Sequence, residues 1–189
     1  HNLIYYRDAT SLCVNLYVPS EVTWNGAAGE VRLVQETTYP ETETSTLRLS
    51  LAAPARFALK LRVPAWTHGF SVRINGAPVD VAAKPGTWAQ IDRTWAAGDT
   101  IEVRIPMEPR MVPVDAQHPR RVAVVRGPVV LVMDDWVFEE IPRLPEPAEV
   151  NKWLQPDERP GVFRIVPPDG HKVDAKFRPF YAVGEVTPY

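Results

Sequence analysis

The sequence predicts an all-β protein, an antiparallel β-sandwich of jelly-roll type with a second, smaller β lobe, and three observations carry that prediction. Apolar and polar residues alternate over short runs. Turn signals return about every ten residues, as in sandwiches. Twenty prolines stand against ten glycines in 189 residues, and no segment between Leu12 and Met107 shows the 3.6-residue period of a helix.

The elements follow in order. Leu12, Val14, Leu16 and Val18 alternate with Cys13, Asn15 and Tyr17, which predicts one strand from 12 to 18, ended by Pro19. Val31, Leu33 and Gln35 share one face of a second strand over 30–38, and Asn25-Gly26 is expected in the loop joining the two. Leu47, Leu49 and Leu51, then Phe57, Leu59, Leu61 and Val63, predict two half-buried strands around the turn at Ala53-Pro54. Phe70, Val72 and Ile74 lead into Asn75-Gly76, a strong hairpin signal because both residues tolerate positive φ. Trp88 to Ile91 and Ile101 to Ile105 supply two more strands around a turn at 95–99. Further on, 122–125 and 129–132 form apolar runs hinged at Gly127-Pro128, and 162–166 and 177–183 recover strand character. Between them, 134–160 is acidic and rich in proline, which predicts an irregular loop.

Composition narrows the function classes. A content of 45% hydrophobic and 10% aromatic residues suits a packed core. The formal charge of -2, with no basic stripe, argues against nucleic acid as a partner. No run approaches the roughly 18 apolar residues of a membrane-spanning helix, so no membrane partner is expected. Neither the address of the protein nor its redox compartment is legible. The single cysteine, Cys13, excludes an internal disulfide.

Candidate chemistry is sparse. Glycoside hydrolysis uses two carboxyls on opposite sides of one bond, but Glu41, Glu43, Asp134, Asp135, Glu139 and Glu140 fall in predicted turns or loops, where solvated charge is the default. His1, His68, His118 and His171 have no short metal-ligand spacing, so neither a catalytic nor a metal residue is assigned. Cys13 reads as a plain strand residue with no neighbour to activate it. Flat rings stack on sugars, and Trp66, Trp88 and Trp95 are the candidate carbohydrate-binding residues. Trp66 and Trp95 lie at predicted strand ends, where sealing the core competes with binding as their role and ranks ahead of it. Trp24, Trp136 and Trp153 fall in loop-like surroundings, suited to packing against a neighbouring domain.

Four blocks carry a resemblance: Leu12-Cys13-Val14-Asn15-Leu16-Tyr17-Val18-Pro19-Ser20, Leu61-Arg62-Val63-Pro64-Ala65-Trp66, Val72-Arg73-Ile74-Asn75-Gly76 and Arg126-Gly127-Pro128. In this order the chain resembles the C-terminal β-sandwich region of the bacterial β-L-arabinofuranosidase family of glycoside hydrolases. The resemblance implies an (α/α)6 catalytic barrel upstream, with a glutamate acid/base and a zinc-bound cysteine nucleophile. None of these positions matches a residue here, Cys13 included, so zinc is implied only for that catalytic domain. The opening at His1 without an initiator Met agrees with a piece of a longer product.

The resulting domain expectation is a main sandwich over 1–108, whose first residues, His1 to Tyr6, are the end of a barrel helix. A smaller lobe with the Pro-rich acidic loop follows over 109–177, and 178–189 form a truncated return strand to the main sandwich. The expected function is a non-catalytic accessory lobe that supports the missing barrel and takes part in a homodimer. The alternatives are a carbohydrate-binding module for plant-type polysaccharide and, more remotely, a hydrolase using Asp134 and Glu139.

Overall fold

The computed structural model describes residues 3–8, 10–26, 29–119, 121–134, 150–166 and 176–184. The chain divides into two compact units, His1–Pro106 and Met107–Tyr189.

In the first unit the strands are β1 (Tyr5–Arg7), β2 (Ser11–Val14), β3 (Ser20–Gly26), β4 (Gly29–Thr37), β5 (Thr44–Leu51), β6 (Ala55–Arg62), β7 (Ser71–Ile74), β8 (Ala77–Val79), β9 (Trp88–Trp95) and β10 (Thr100–Arg104). They form a four-stranded sheet in the order β1-β2-β6-β9 and a six-stranded sheet in the order β3-β4-β5-β10-β7-β8. Neighbours are antiparallel except β2 and β6, which run parallel with Leu12 beside Leu59 and Val14 beside Leu61.

Alternation makes this a sandwich. Leu12, Val14, Leu59, Leu61, Ala89, Ile91 and Trp95 from one sheet meet Val31, Leu33, Leu47, Leu49, Val72, Ile74, Ile101 and Val103 from the other in one buried cluster. Each such large apolar side chain contributes about 1.5–3 kcal/mol on burial. The outer face of the six-stranded sheet is charged and solvated, with Arg32 on Glu21 at 2.6 Å and Arg48 on Glu36 at 2.9 Å. The Asn75-Gly76 turn takes the expected positive φ values, 50° and 81°.

Three expectations need correction. The strand expected over 12–18 stops at Val14, because the chain there crosses to the other sheet. The carbonyls of Leu16 and Val18 accept from Nε2 of the buried Gln35, at 3.0 and 2.7 Å, instead of from a neighbouring strand. Asn25-Gly26 does not close a loop from that strand, since Ser20–Gly26 is itself a strand paired with β4 along its length. Finally, Tyr5 and Tyr6, expected at a helix end, are strand residues, while His1 and Asn2 lie outside the described residues. Tyr5 to Arg7 pair antiparallel with Val14 to Leu12, as suits β-favouring tyrosines beside an open strand edge.

The second unit contains β11 (Pro109–Pro113), β12 (Val122–Arg126), β13 (Val129–Asp134), a single-turn helix α1 (Val150–Trp153), β14 (Leu154–Pro156), β15 (Phe163–Ile165) and β16 (Lys176–Pro179), followed by a 3₁₀ turn at Phe180–Gly184. Its sheet runs β11-β12-β13-β16-β15-β14, over a small core built on Val124, Leu131, Trp153, Phe163, Ile165 and Phe177. The strand expected over 177–183 gives way after Pro179 to the 3₁₀ turn, and residues 178 and 179 belong to β16 of this sheet. Of the expected acidic loop, 135–149 lies outside the described residues, with Asp135, Trp136, Glu139 and Glu140, as do 185–189 of the expected return strand. No helix among the described residues is long and apolar enough to cross a membrane.

Candidate functional site

One edge of the four-stranded sheet is β1 and one edge of the six-stranded sheet is β3. They come together on one side of the first unit, where the Tyr5 hydroxyl and Ser20 Oγ are hydrogen-bonded at 2.9 Å. Beside this link lies a cleft of about 330 Å³ lined by Tyr5, Tyr6, Arg7, Leu12, Val22 and Trp24.

Local chemistry builds each wall. Asp8 makes the turn that folds β1 back on β2: its Oδ1 accepts from the backbone amides of Thr10 (2.9 Å) and Ser11 (2.7 Å), and its Oδ2 accepts from Ser11 Oγ (2.6 Å). The Ser11 hydroxyl, with the Thr10 amide and Lys60, holds the Asp8 carboxyl well below the usual carboxylate range. Register then sets Tyr5 opposite Val14 and Arg7 opposite Leu12. Burial pushes the Tyr5 phenol up, against the pull of its bond to Ser20, so the hydroxyl stays protonated at neutral pH. On the other wall, alternation along β3 brings Val22 and Trp24 to the same side. The Trp24 ring stands edge-on to Phe57 at 5.6 Å, and Phe57 lies 5.9 Å from Trp95. An aromatic row thus runs from the cleft into the core and fixes Trp24.

Trp24 is therefore a strand residue half-buried against the core of its own unit, not a loop residue reserved for another domain. Trp153 is likewise fully buried, at the end of α1. The expectation failed at both because neutral or polar neighbours hid a short element.

The three candidate tryptophans do not share one platform. Trp95 is 0% exposed, its Nε1 donates to the Phe57 carbonyl at 3.0 Å, and the Arg93 guanidinium lies 5.1 Å from the ring centre. Trp88, paired with Arg62, is 40% exposed. It faces outward, since Ala89 and Ile91 point into the core. Trp95 lies seven positions further along β9, about 23 Å at roughly 3.3 Å per residue, and odd spacing sends the two rings to opposite faces. Trp66 is half-buried against the core, near the Trp88 end of the sheet, where the Val63 amide donates to the Thr87 carbonyl at 2.8 Å.

Titration behaviour limits the chemistry. Among the described residues, every carboxyl with a displaced pKa is displaced downward: Asp8, Glu21, Asp99, Asp115 and Asp157. Glu21 is held down chiefly by Arg32, Asp115 by His118 and Asp157 by Lys176. Nor do the residues present fit the implied zinc. No group of three His, Cys, Asp or Glu gathers among the described residues, and Cys13 is flanked in register by Tyr6 and Lys60, neither a usual zinc ligand.

Comparison with known proteins adds the following. A family model described as β-L-arabinofuranosidase, GH127 middle domain, matches residues 11–107. Among solved structures, a GH127 β-L-arabinofuranosidase from Geobacillus stearothermophilus is similar at 35% identity and a TM-score of 0.62, over 68% of this chain and 21% of that one. A glycoside hydrolase is similar at 31% identity and a TM-score of 0.63, over 68% of this chain and 22% of that one. A GH127 β-arabinofuranosidase, BT3674, is similar at 28% identity and a TM-score of 0.61, over 70% and 24% respectively. The chain thus spans less than a quarter of the length of these relatives. No curated protein matches. The matched model is that of a middle domain, which corrects the C-terminal placement expected from the sequence. The resembling blocks identify a sandwich but do not order it within a longer chain.

Proposed function

Because the chain belongs to the GH127 β-L-arabinofuranosidase family, with residues 11–107 corresponding to its middle domain, we propose that it is a non-catalytic supporting lobe for a catalytic (α/α)6 barrel carried elsewhere in a longer polypeptide. The observation that carries this reading is the lining of the cleft: Tyr5, Tyr6, Arg7, Leu12, Val22 and Trp24 include neither a carboxyl nor a thiol. A glycosidase acid is kept protonated by a raised pKa, and the displaced carboxyls here move the other way, held by arginine, lysine, histidine or backbone amides. A closed apolar core between two sheets gives such a lobe rigidity without demanding chemistry from it. Contact between two copies of the lobe belongs to the same proposal.

Two experiments test it. The 189-residue chain, with and without added zinc, is expected to release no nitrophenol from 4-nitrophenyl β-L-arabinofuranoside above the buffer rate; zinc-dependent turnover lost in Cys13→Ser would overturn the reading. Deleting 11–107 from the longer polypeptide is expected to lower the thermal midpoint of what remains. An unchanged midpoint would reject the supporting role. Sedimentation of the chain checks self-association, and a monomer at all concentrations would remove the dimer from the proposal.

A further inference from the structure

We propose that the cleft between β1 and β3 is a saccharide-binding site, taking one sugar unit of an oligosaccharide on Tyr5 and Trp24 with Arg7 as its polar anchor. Its lining includes none of Trp66, Trp88 and Trp95. It goes beyond the supporting role and stands independently of it.

Four features favour a sugar. The volume of about 330 Å³ lies at the small end of ligand pockets, which run from about 300 to 1,000 Å³, and so suits one ring with its substituents better than an extended chain. Half of its lining residues are aromatic, and flat rings cover the apolar faces of sugar rings while their polar edges reach the hydroxyls. Its donors are unspent: among the described residues neither the Arg7 guanidinium nor Trp24 Nε1 has a hydrogen-bond or ion-pair partner, whereas Trp95 Nε1 is committed to the Phe57 carbonyl. A guanidinium presents five donors in a fixed fork, matched to a ligand rimmed with oxygen acceptors.

The fourth feature is preorganisation. The Tyr5 hydroxyl is tied to Ser20 across the cleft, the Asp8 turn fixes β1 against β2, and Phe57 holds Trp24 from behind. Walls already ordered lose little freedom when a ligand binds. No carboxylate lines the cleft to neutralise Arg7, so ligand oxygens, neutral or carboxylate, are its natural partners. The acids that adjoin lining residues in sequence are engaged elsewhere, Asp8 with Ser11 and Lys60 and Glu21 with Arg32.

The test uses the 189-residue chain and four probes: arabino-, xylo- and cello-oligosaccharides, which are neutral, and an oligogalacturonide, which carries carboxylates. Binding is read by calorimetry and by tryptophan fluorescence. At least one glycan is expected to bind saturably, with Kd on the order of 1 mM. Arg7→Gln, at an exposed position, and Trp24→Phe, which keeps a ring beside Phe57 but removes the Nε1 donor, are expected to weaken it about tenfold each, the loss of a charge-assisted bond or of a donor, with circular dichroism unchanged. Trp88→Ala is expected to bind as the parent does. Preference for the oligogalacturonide would identify a uronate as the unit held by Arg7; preference for arabino-oligosaccharide would identify a neutral sugar. Absence of saturable binding by all four at about ten times that Kd would overturn the proposal. So would binding lost in Trp88→Ala and kept in both cleft variants. Failure here leaves the supporting role standing, because that role is measured by the stability of the longer polypeptide.

Discussion

Removing the Asp99 carboxylate should loosen the turn that joins the two sheets at the Trp95 end. Asp99 side-chain exposure is 8%. Its Oδ1 accepts from Asn75 Nδ2 at 2.7 Å and its Oδ2 from the Ala96 amide at 2.9 Å. Asn75 Oδ1 in turn accepts from the Thr100 amide at 2.9 Å, and the Arg93 guanidinium lies 3.9 Å from Asp99 Oδ2. The group therefore ties the β7–β8 hairpin turn to the β9–β10 turn. Hydrogen bonds to charged groups contribute about 1.5–3 kcal/mol each. Because Asn75 is exposed and can turn to water, the low end applies, and Asp99→Ala is expected to cost about 3 kcal/mol for the two bonds. For a unit of about a hundred residues that is roughly 12 °C in midpoint, at about 4 °C per kcal/mol.

The pH dependence gives a second reading of the same group. Burial alone would raise the Asp99 pKa, but the Ala96 amide, Asn75 and Arg93 outweigh it and hold the carboxyl below its ordinary range. A carboxyl depressed in the folded state stabilises fully above its unfolded pKa of about 3.9. That contribution fades as pH falls through the lower folded value. The stability difference between the parent and Asp99→Asn should thus be constant from neutral pH to about 5 and shrink below about 4. Urea unfolding at a series of pH values, with hydrogen exchange of β9 and β10 amides to assign the transition to the first unit, measures it. A cost below about 1 kcal/mol for Asp99→Ala, or a difference that persists unchanged to pH 2.5, would refute the carboxylate as the tie.

Other outcomes follow from the same physical rules. Gln35→Leu fills similar volume but strips the Leu16 and Val18 carbonyls of their donor and Ser45 of its acceptor, and should cost about 2–3 kcal/mol by urea unfolding. Gly127→Ala meets two penalties, a φ of +56° and a Cβ that would land 2.5 Å from Met107 Sδ; about 2 kcal/mol is expected from the left-handed backbone and crowding together, seen as loss of the second unit's transition. Glu21→Gln, by contrast, breaks an ion pair half open to water and should leave the midpoint unchanged at high salt.

Strands whose instructions are local were the legible part of the fold. Asn75-Gly76 needs positive φ at two successive positions, which few residue pairs supply, and the alternation of Leu47 with Leu49, or Leu59 with Leu61, already points both to one core. What failed depended on partners far away in sequence. Val14 and Leu16 continue one alternating pattern, yet the strand ends between them because Gln35, nineteen positions from Leu16, supplies the donor. Ser20–Gly26 was hidden because four of its seven residues are polar, as an edge strand with one solvated face permits. In the second unit, a strand of three residues such as Leu154–Pro156 is too short for alternation to register, whereas Phe163–Ile165 falls within the run 162–166 that showed strand character. The separation of Trp88 from Trp95 was readable in principle, because seven is odd, but only once both were known to share one strand.

The cleft was illegible for a deeper reason, and that reason bears on what it can do. Two sheets packed face to face leave an open side wherever their outermost strands do not pair with each other. Here β1 and β3 are joined across that side by the Tyr5–Ser20 hydrogen bond. A groove in that position inherits edge-strand side chains as its walls and a core residue, Leu12, as its floor. Its character is then set by the few residues that two separate stretches, 5–7 and 22–24, place there, and no spacing within either stretch announces the other. Aromatic walls and one unpaired guanidinium are sufficient to hold an oxygen-rich ring, but with no carboxyl among the lining residues they lack the pair of carboxyls that glycoside hydrolysis ordinarily uses.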